Sequence, residues 1–441
     1  MGKFKNILFW FRQDLRVFDN VGLWNAIEDG ENVLPVFIFD EKILDRFPQN
    51  DKRLGFLKDA LIRLDSQLQE KGSRLYSAVG DPQKLLPQIV KENNIDAVYT
   101  NRSYGPYGTT RDTNIKKSIN AEFCQFEDFF LVKPENVPVR KVFTPFYKQW
   151  KNVFEFSGIL NIDKKISTMS TSLSTVVDYL DKFDFENLWD VHEGDNILKN
   201  FDFCNYENTR NYPFQDGTSK LSPYVRFGLV SIRQVYDAIQ KSNCDNDVFL
   251  SEIAWREFWN HIAINFPWTE NLEFLEKRRG LDWLNEEKLF EAWKEGQTGY
   301  PLVDAGMRQL KQESWIHNRV RMVVASFLTK DLLIDRRWGE RHFENYLLDY
   351  DRNVNIGNWQ WASSVGADPK PMRIFNPMLQ SQRFDPECKY IKKYIPELEN
   401  YHPGQIHNPL RYNLSYAKPV VDHFERSKIA KNIYNKQNID I

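Results

Sequence analysis

Short runs rich in Val, Ile and aromatic residues recur through the first hundred positions: Asn6 to Phe11, Val33 to Phe39, Leu75 to Val79 and Ala97 to Thr100. Between them, apolar residues fall at helical spacing over Leu54 to Leu68, Leu85 to Val90 and Thr109 to Ile119. Strands alternating with helices predict a parallel sheet covered on both faces. Ligands of such sheets sit beyond the carboxyl ends of the strands. The first strand is followed by Phe11-Arg-Gln-Asp-Leu-Arg16 and not by Gly-x-Gly-x-x-Gly, which disfavours a nicotinamide-dependent dehydrogenase. From Ala121 to about Asn200 the pattern loosens around Pro134, Pro138, Pro145 and a Ser/Thr-rich stretch from Ser167 to Thr175. That composition predicts a connector on the surface, carrying some helix. From about Phe201 onward the strand-like runs give way to helical segments rich in Trp, Arg and amides.

At 441 residues the chain exceeds what one core supports, so two or three domains are expected. A formal net charge of -2 excludes a uniformly basic coat but leaves room for a local basic groove. The start, Met-Gly-Lys-Phe-Lys, runs into a strand and not a signal peptide, and no run is long enough to span a bilayer. A soluble cytoplasmic protein without a membrane partner is expected. With no Cys-x-x-Cys pair and no His at ligand spacing, no metal site is expected.

The chemistry concentrates in the second half. Asp349-Tyr-Asp-Arg-Asn-Val-Asn-Ile-Gly-Asn-Trp-Gln-Trp361 holds acids, amides and two indoles with almost no aliphatic content. Acid beside amide beside indole suits a planar ring system with polar edges. Glu252, Trp255, Arg256 and Trp259 share one helix face, which reads either as a surface salt bridge with flanking aromatics or, more sharply, as a pocket wall where indole stacks on a base. Trp315, Asn318, Arg319 and Met322 repeat the spacing, and an Asn in mid-helix suggests a task for its amide. Asp349 and Asp351 are placed to pair with Arg321 or Arg256 inside a cleft. Gly217-Thr-Ser-Lys-Leu-Ser222 offers hydroxyls ahead of a helical pattern, which suits a phosphate as well as an ordinary cap.

Together these residues resemble the photolyase/cryptochrome flavoprotein family along nearly the whole chain. The resemblance is carried by Phe9-Trp-Phe-Arg-Gln-Asp-Leu-Arg16, Trp255-Arg-Glu-Phe258, Thr298-Gly-Tyr-Pro-Leu-Val-Asp304, Trp315-Ile-His-Asn-Arg319, Asp331-Leu-Leu-Ile-Asp335, Asn358-Trp-Gln-Trp361 and Arg373-Ile-Phe-Asn-Pro377. It implies an α/β architecture: an N-terminal Rossmann-like parallel-sheet domain (1–130), a long connector (131–200) and an all-α FAD-binding domain (201–441). FAD would be held by Tyr206, Thr218, Ser219, Lys220, Leu221, Ser222, Arg256, Trp315, Arg321, Asp349, Asp351 and Asn355, with Asn355 facing flavin N5. Glu252, Trp255, Asn318, Met322 and Trp361 match the class I cyclobutane pyrimidine dimer photolyases, and Arg210, Arg319 and Arg373 match contacts to the DNA backbone.

The 6-4 photolyases place His where Asn318 stands, so the cyclobutane dimer is the expected lesion. The implied reaction is light-driven electron transfer from reduced FAD to a flipped-out dimer, by a monomer acting on damaged DNA. The competing expectation is a cryptochrome photoreceptor that signals through a partner and repairs nothing. Two departures stand out. Trp359 and Trp283 match the inner and outer members of the family's three-Trp reduction chain, but the middle position is Arg336, so photoreduction is expected to be rerouted or impaired. Folate-binding relatives carry an acid where Gly105 and Gly108 stand, which disfavours folate and leaves the identity of a second, light-harvesting chromophore open.

Overall fold

The structure is a computed structural model that describes residues 2–47, 51–180, 187–367, 372–412 and 414–436. The chain parts into two compact units. The first comprises Met1–Val137, Trp150–Phe201 and Lys220–Asn246; the second comprises Pro138–Gln149, Asp202–Ser219 and Asp247–Ile441. The stretch expected to be a connector is thus shared, with most of it folded into the first unit.

The first unit is built on a six-stranded sheet of β1 (Phe4–Phe11), β2 (Gly30–Phe39), β3 (Tyr76–Val79), β4 (Ala97–Asn101), β5 (Glu122–Phe126) and β6 (Ser174–Thr175), in the order β5-β4-β1-β2-β3-β6. The first five strands pair in parallel, as the alternation with helices α1 (Val21–Asp29), α2 (Lys52–Glu70), α3 (Pro82–Glu92) and α4 (Pro106–Ser118) predicts. The inner strands read as continuous apolar runs because both faces are covered. Leu8, Trp10, Leu34, Val36 and Val98 pack against Leu86, Ile89 and Ile115. The sixth strand comes from the Ser/Thr-rich stretch and pairs antiparallel to β3 through Ser77 and Ser174. A short polar strand of this kind blunts an exposed sheet edge.

A charged network lies within this unit. Asp128 takes hydrogen bonds from Arg16 (2.6 Å) and from Arg233 (2.7 Å) of α5 (Ile232–Lys241), and Arg233 also holds Asp19 (3.0 Å). Burial alone would raise the Asp128 carboxyl, but the two guanidinium charges outweigh it and hold the group below the usual carboxylate range.

The second unit is helical. Its frame includes α6 (Asp247–Asn265), α7 (Glu287–Lys294), α8 (Pro301–Glu313), α9 (Asn318–Ser326), α10 (Arg336–Tyr346) and α11 (Arg352–Ala362). The core gathers Trp293, Val303, Leu310, Val324, Leu328, Phe343 and Trp359. Two glycines allow close helix packing. A Cβ at Gly357 would lie 2.3 Å from the Trp259 ring, and one at Gly339 would lie 2.2 Å from that of Trp359. Gly357 therefore lets α11 lie against α6, and Gly339 lets α10 close over the indole. Among the described residues no helix is long and apolar enough to cross a membrane.

Candidate lesion and flavin site

The face expected on α6 is present as a helix face, with Glu252, Trp255 and Arg256 half-buried and Trp259 buried. Glu252 pairs with Arg210 at 2.7 Å. Burial raises the Glu252 carboxyl, and Arg210 opposes that shift without cancelling it. Arg210 in turn lies over the Tyr206 ring at 5.2 Å, and the Tyr206 phenol is pushed up by burial and by the Glu252 charge. Tyr206 thus sits with the acid and guanidinium matched to the lesion, although the resemblance assigned it to the cofactor.

Trp255 has a neighbour that sequence reading missed. Phe143 stacks on the indole with centroids 3.6 Å apart and planes within 6°, and Tyr147 continues the stack behind it at 5.6 Å. The Tyr147 hydroxyl donates to Asp247 Oδ1 at the start of α6 (2.6 Å). The only trace in the sequence is aromatic spacing of four within a proline-broken run, which composition assigns to a connector.

On the second expected face, Trp315 and Asn318 do not lie in mid-helix. Trp315 precedes α9 and is buried edge-on to His317, whose ring caps the helix by accepting from the Arg319 N–H (3.2 Å). Asn318 is the first helical residue and is exposed, so its low propensity costs little there and carries no signal. Arg319 lies over the Phe384 ring at 4.4 Å, donates to Asn211 (2.5 Å) and touches Met322 Sδ (3.7 Å). Burial, and then the charges of Arg210 and Arg383, lower its pKa. Glu252, Arg210, Arg319 and Met322 therefore form one neighbourhood with a surplus of positive charge.

The acid-, amide- and indole-rich stretch from Asp349 to Trp361 is mostly helix. Asp351 caps α11 by accepting from the Val354 N–H (3.1 Å). Asp349 is the partner of Arg321 (2.8 Å), whose Nε also donates to the Ile316 carbonyl (2.8 Å). Several of the amides are structural. Gln360 donates to the carbonyls of Thr269 and Leu272, and Asn353 donates to Asn260 (2.9 Å). Asn355 is buried and donates to the Glu340 carbonyl (3.2 Å), which fixes its carboxamide. Trp359 is buried, and half-buried Trp361 carries the Arg373 guanidinium over its ring at 4.3 Å.

Trp283 lies in a separate small cluster with Leu281, Val365 and Tyr434. Arg336, at the expected middle position, is 1% exposed and paired with Glu340 (2.5 Å). Thr218 and Ser219 fall in the second unit, whereas Lys220, Leu221 and Ser222 fall in the first, where Ser222 opens a six-residue helix. The Arg321–Asp349 pair and the fixed, buried Asn355 carboxamide are the kinds of donor and acceptor that the polar edge of an isoalloxazine ring takes, so the donor set fits FAD. In the first unit a Cβ at Gly108 would lie 2.1 Å from Ser103 Oγ, so a side chain there would have to displace that hydroxyl, while Gly105 faces open space.

Residues 249–436 match the FAD binding domain of DNA photolyase, and residues 7–165 match DNA photolyase. The deoxyribodipyrimidine photo-lyase of a Synechococcus species is 36% identical over 98% of this chain and 96% of its own length. An archaeal photolyase from Sulfolobus tokodaii, whose structure holds two FAD molecules, is 35% identical with a TM-score of 0.90, covering 98% of this chain and all of that one. A bacterial class III photolyase from Agrobacterium tumefaciens gives 0.91 at 32% identity, over 98% of each chain. With relatives at this identity over nearly its full length and an FAD-binding domain of the photolyase kind, the chain belongs to the photolyase/cryptochrome family.

Proposed function

We propose that the chain is a deoxyribodipyrimidine photo-lyase that splits cyclobutane pyrimidine dimers in light. The observation that carries this reading is the neighbourhood of Glu252, Arg210, Arg319 and Met322 beside an exposed Asn318. A flipped-out dimer needs a base-edge partner, phosphate contacts and apolar surface at close quarters. Glu252 hydrogen-bonds the base edge, and its raised pKa keeps a proton available over a wider range than an ordinary carboxylate. Trp255 and Trp361 cover the apolar faces of the dimer. Arg210, Arg319 and Arg373 hold the backbone on either side.

Asn318 and Met322 border the lesion without offering a proton, which suits a ring that splits with no net proton transfer. When bound, FAD supplies light absorption and the transferred electron. Arg256, Trp315, Arg321, Asp349 and Asn355 hold it, with Thr218 to Ser222 on its diphosphate. Asp351 contributes by fixing the start of α11. Two FAD molecules in the Sulfolobus tokodaii structure support a second chromophore here, of open identity, with folate disfavoured because glycines stand at 105 and 108 where folate-binding relatives carry an acid. The reading takes the enzyme as a cytoplasmic monomer.

The test is a dimer-containing oligonucleotide incubated with reduced protein in light and in darkness. Dimers should disappear in light alone, and a 6-4 photoproduct in the same assay should persist. Dimers that survive illumination would refute the proposal.

A further inference from the structure

We propose that, in light, the electrons that reduce an oxidised flavin enter the helical unit at Trp338 and pass through Trp293 and Trp359. Trp283 is then not the outer donor. This rests on the flavin reading above and extends it to residues that reading does not use.

Trp359, at the inner end, is 2% exposed and meets Trp293 edge to face, with centroids 6.2 Å apart and planes at 69°. Phe290 stacks on the far side of Trp293 at 5.8 Å and 15°, and Trp338 meets Phe290 at 5.1 Å and 73°. Trp338 is half-buried, so the series of rings runs from the core to a residue that water reaches. A phenyl ring is too hard to oxidise to serve as a stop, but Phe290 fills the gap with bonded matter, through which tunnelling decays less steeply than through a void. Trp338 lies two residues beyond Arg336, and the helix face it occupies is the one turned to Phe290.

The route toward Trp283 lacks these features. Its middle position is the Arg336 guanidinium, ion-paired with Glu340 at 2.5 Å and 3.8 Å from Glu273. A guanidinium gives up no electron under these conditions, and its charge opposes an electron hole nearby. Among the described residues the only ring meeting Trp283 is Tyr434, at 6.5 Å and 81°. That ring in turn lies 5.1 Å from the Arg278 guanidinium.

The surroundings of Trp293 favour passage. Its ring is 0% exposed, and its N–H donates to the Val324 carbonyl (3.0 Å), so an oxidised Trp293 has no water to take its proton. The hole therefore moves outward. His342, 5.4 Å away, is held neutral by burial and does not repel a transient positive charge. Tyr346 reaches Trp293 only through that imidazole, and a phenol gives up an electron readily only with its proton. At Trp338 the oxidised indole loses its N–H proton to water. A thiol then returns one hydrogen atom to the ring and ends as half of a disulfide. One electron is delivered inward for each thiol consumed.

Blue-light bleaching of the oxidised flavin, measured on the purified flavoprotein with dithiothreitol, tests the route. Trp338→Phe and Trp293→Phe should each slow bleaching at least tenfold, while Trp283→Phe should bleach at the parent rate. Trp338→Phe at the parent rate would overturn the route. So would a tenfold slowing in Trp283→Phe. A second measurement needs no variant to fold: after illumination without thiol, peptide mass spectrometry of the parent should find oxidised indole at Trp338 above dark and flavin-free controls. Oxidation above those controls at Trp283 and not at Trp338 would overturn the proposal. A parent that repairs dimers after dithionite reduction while failing these tests loses the route alone. A parent that neither holds flavin nor repairs loses the functional reading with it.

Discussion

The buried charges of the first unit and the ion pairs of the second are built from the same residue types and differ in what surrounds them. Arg16, Asp128, Arg233 and Asp19 have side chains no more than 10% exposed, and each carboxylate is met by guanidinium donors within the unit. In the second unit Arg210 and Glu252 are 22% and 31% exposed, and Arg321 is 27% exposed against Asp349. The enclosed network leaves no carboxylate oxygen of Asp19 or Asp128 without a donor and is closed to any ligand. The half-open pairs keep solvent-facing hydrogen-bonding capacity that a base edge, a phosphate or a flavin can take up. On the proposed function, charge marks the binding site by incomplete enclosure, not by its amount.

The largest effect that tests this contrast comes from Asp128→Ala. It leaves two buried guanidinium groups with only Asp19 between them, and should cost about 3–5 kcal/mol in the denaturant midpoint. Glu252→Ala should cost less than about 1 kcal/mol, as expected of a partly exposed pair. Equal losses would erase the distinction.

Acid should separate the units next. Burial pushes His342 down to about 3 and His261 to about 4. Both stay neutral in the fold and become charged when it unfolds. Their stabilisation is complete above the ordinary histidine pKa and is lost as pH falls toward the lowered values, at about 1.4 kcal/mol per pH unit for each group. Asp128, also lowered, contributes loss only below the usual carboxylate range. The buried Asp304 and Asp331 carboxyls, pushed up to about 6, act in the opposite sense, so the readout is a difference: from pH 7 to 4 the parent should lose stability relative to His342→Phe. A parallel curve for that variant would count against a neutral buried imidazole.

The architecture was readable because its strands alternate with helical periodicity, and the faces of α6 because four residues at helical spacing cannot all be core. Other parts were not readable, for identifiable reasons. Asn318 read as a mid-helix anomaly because the cap on α9 is a histidine, outside the usual Ser, Thr, Asp and Asn set. Asp351 read as a cleft charge, though its local task is a helix start. Trp293 gives no signal at all, because one Trp in an amphipathic helix looks like ordinary core. Arg336 was legible as a departure, but Phe290 and Trp293, on the route proposed around it, come from a separate helix, and sequence spacing carries no information on that meeting.

Smaller effects sharpen the site itself. Trp255→Ala should weaken binding of dimer-containing DNA by about 1–3 kcal/mol, or roughly tenfold to a hundredfold, while leaving undamaged duplex affinity unchanged. Arg210→Ala should weaken both DNAs similarly and reduce the slope of log affinity against log salt by about 1. A dimer-selective loss from Arg210→Ala would move that residue from backbone contact to base recognition.

The Phe143–Trp255 stack has a further consequence. With one face already covered, the indole offers a partner only part of its surface, so the contact area available for recognition is capped. In return its rotamer is settled before DNA arrives, and the entropy otherwise lost on freezing a free side chain, about 0.5–1.5 kcal/mol, is removed from the cost of association. If Trp255 meets the lesion as proposed, a narrow but rigid plate favours one shape of fused pyrimidine pair over many loosely fitting ones.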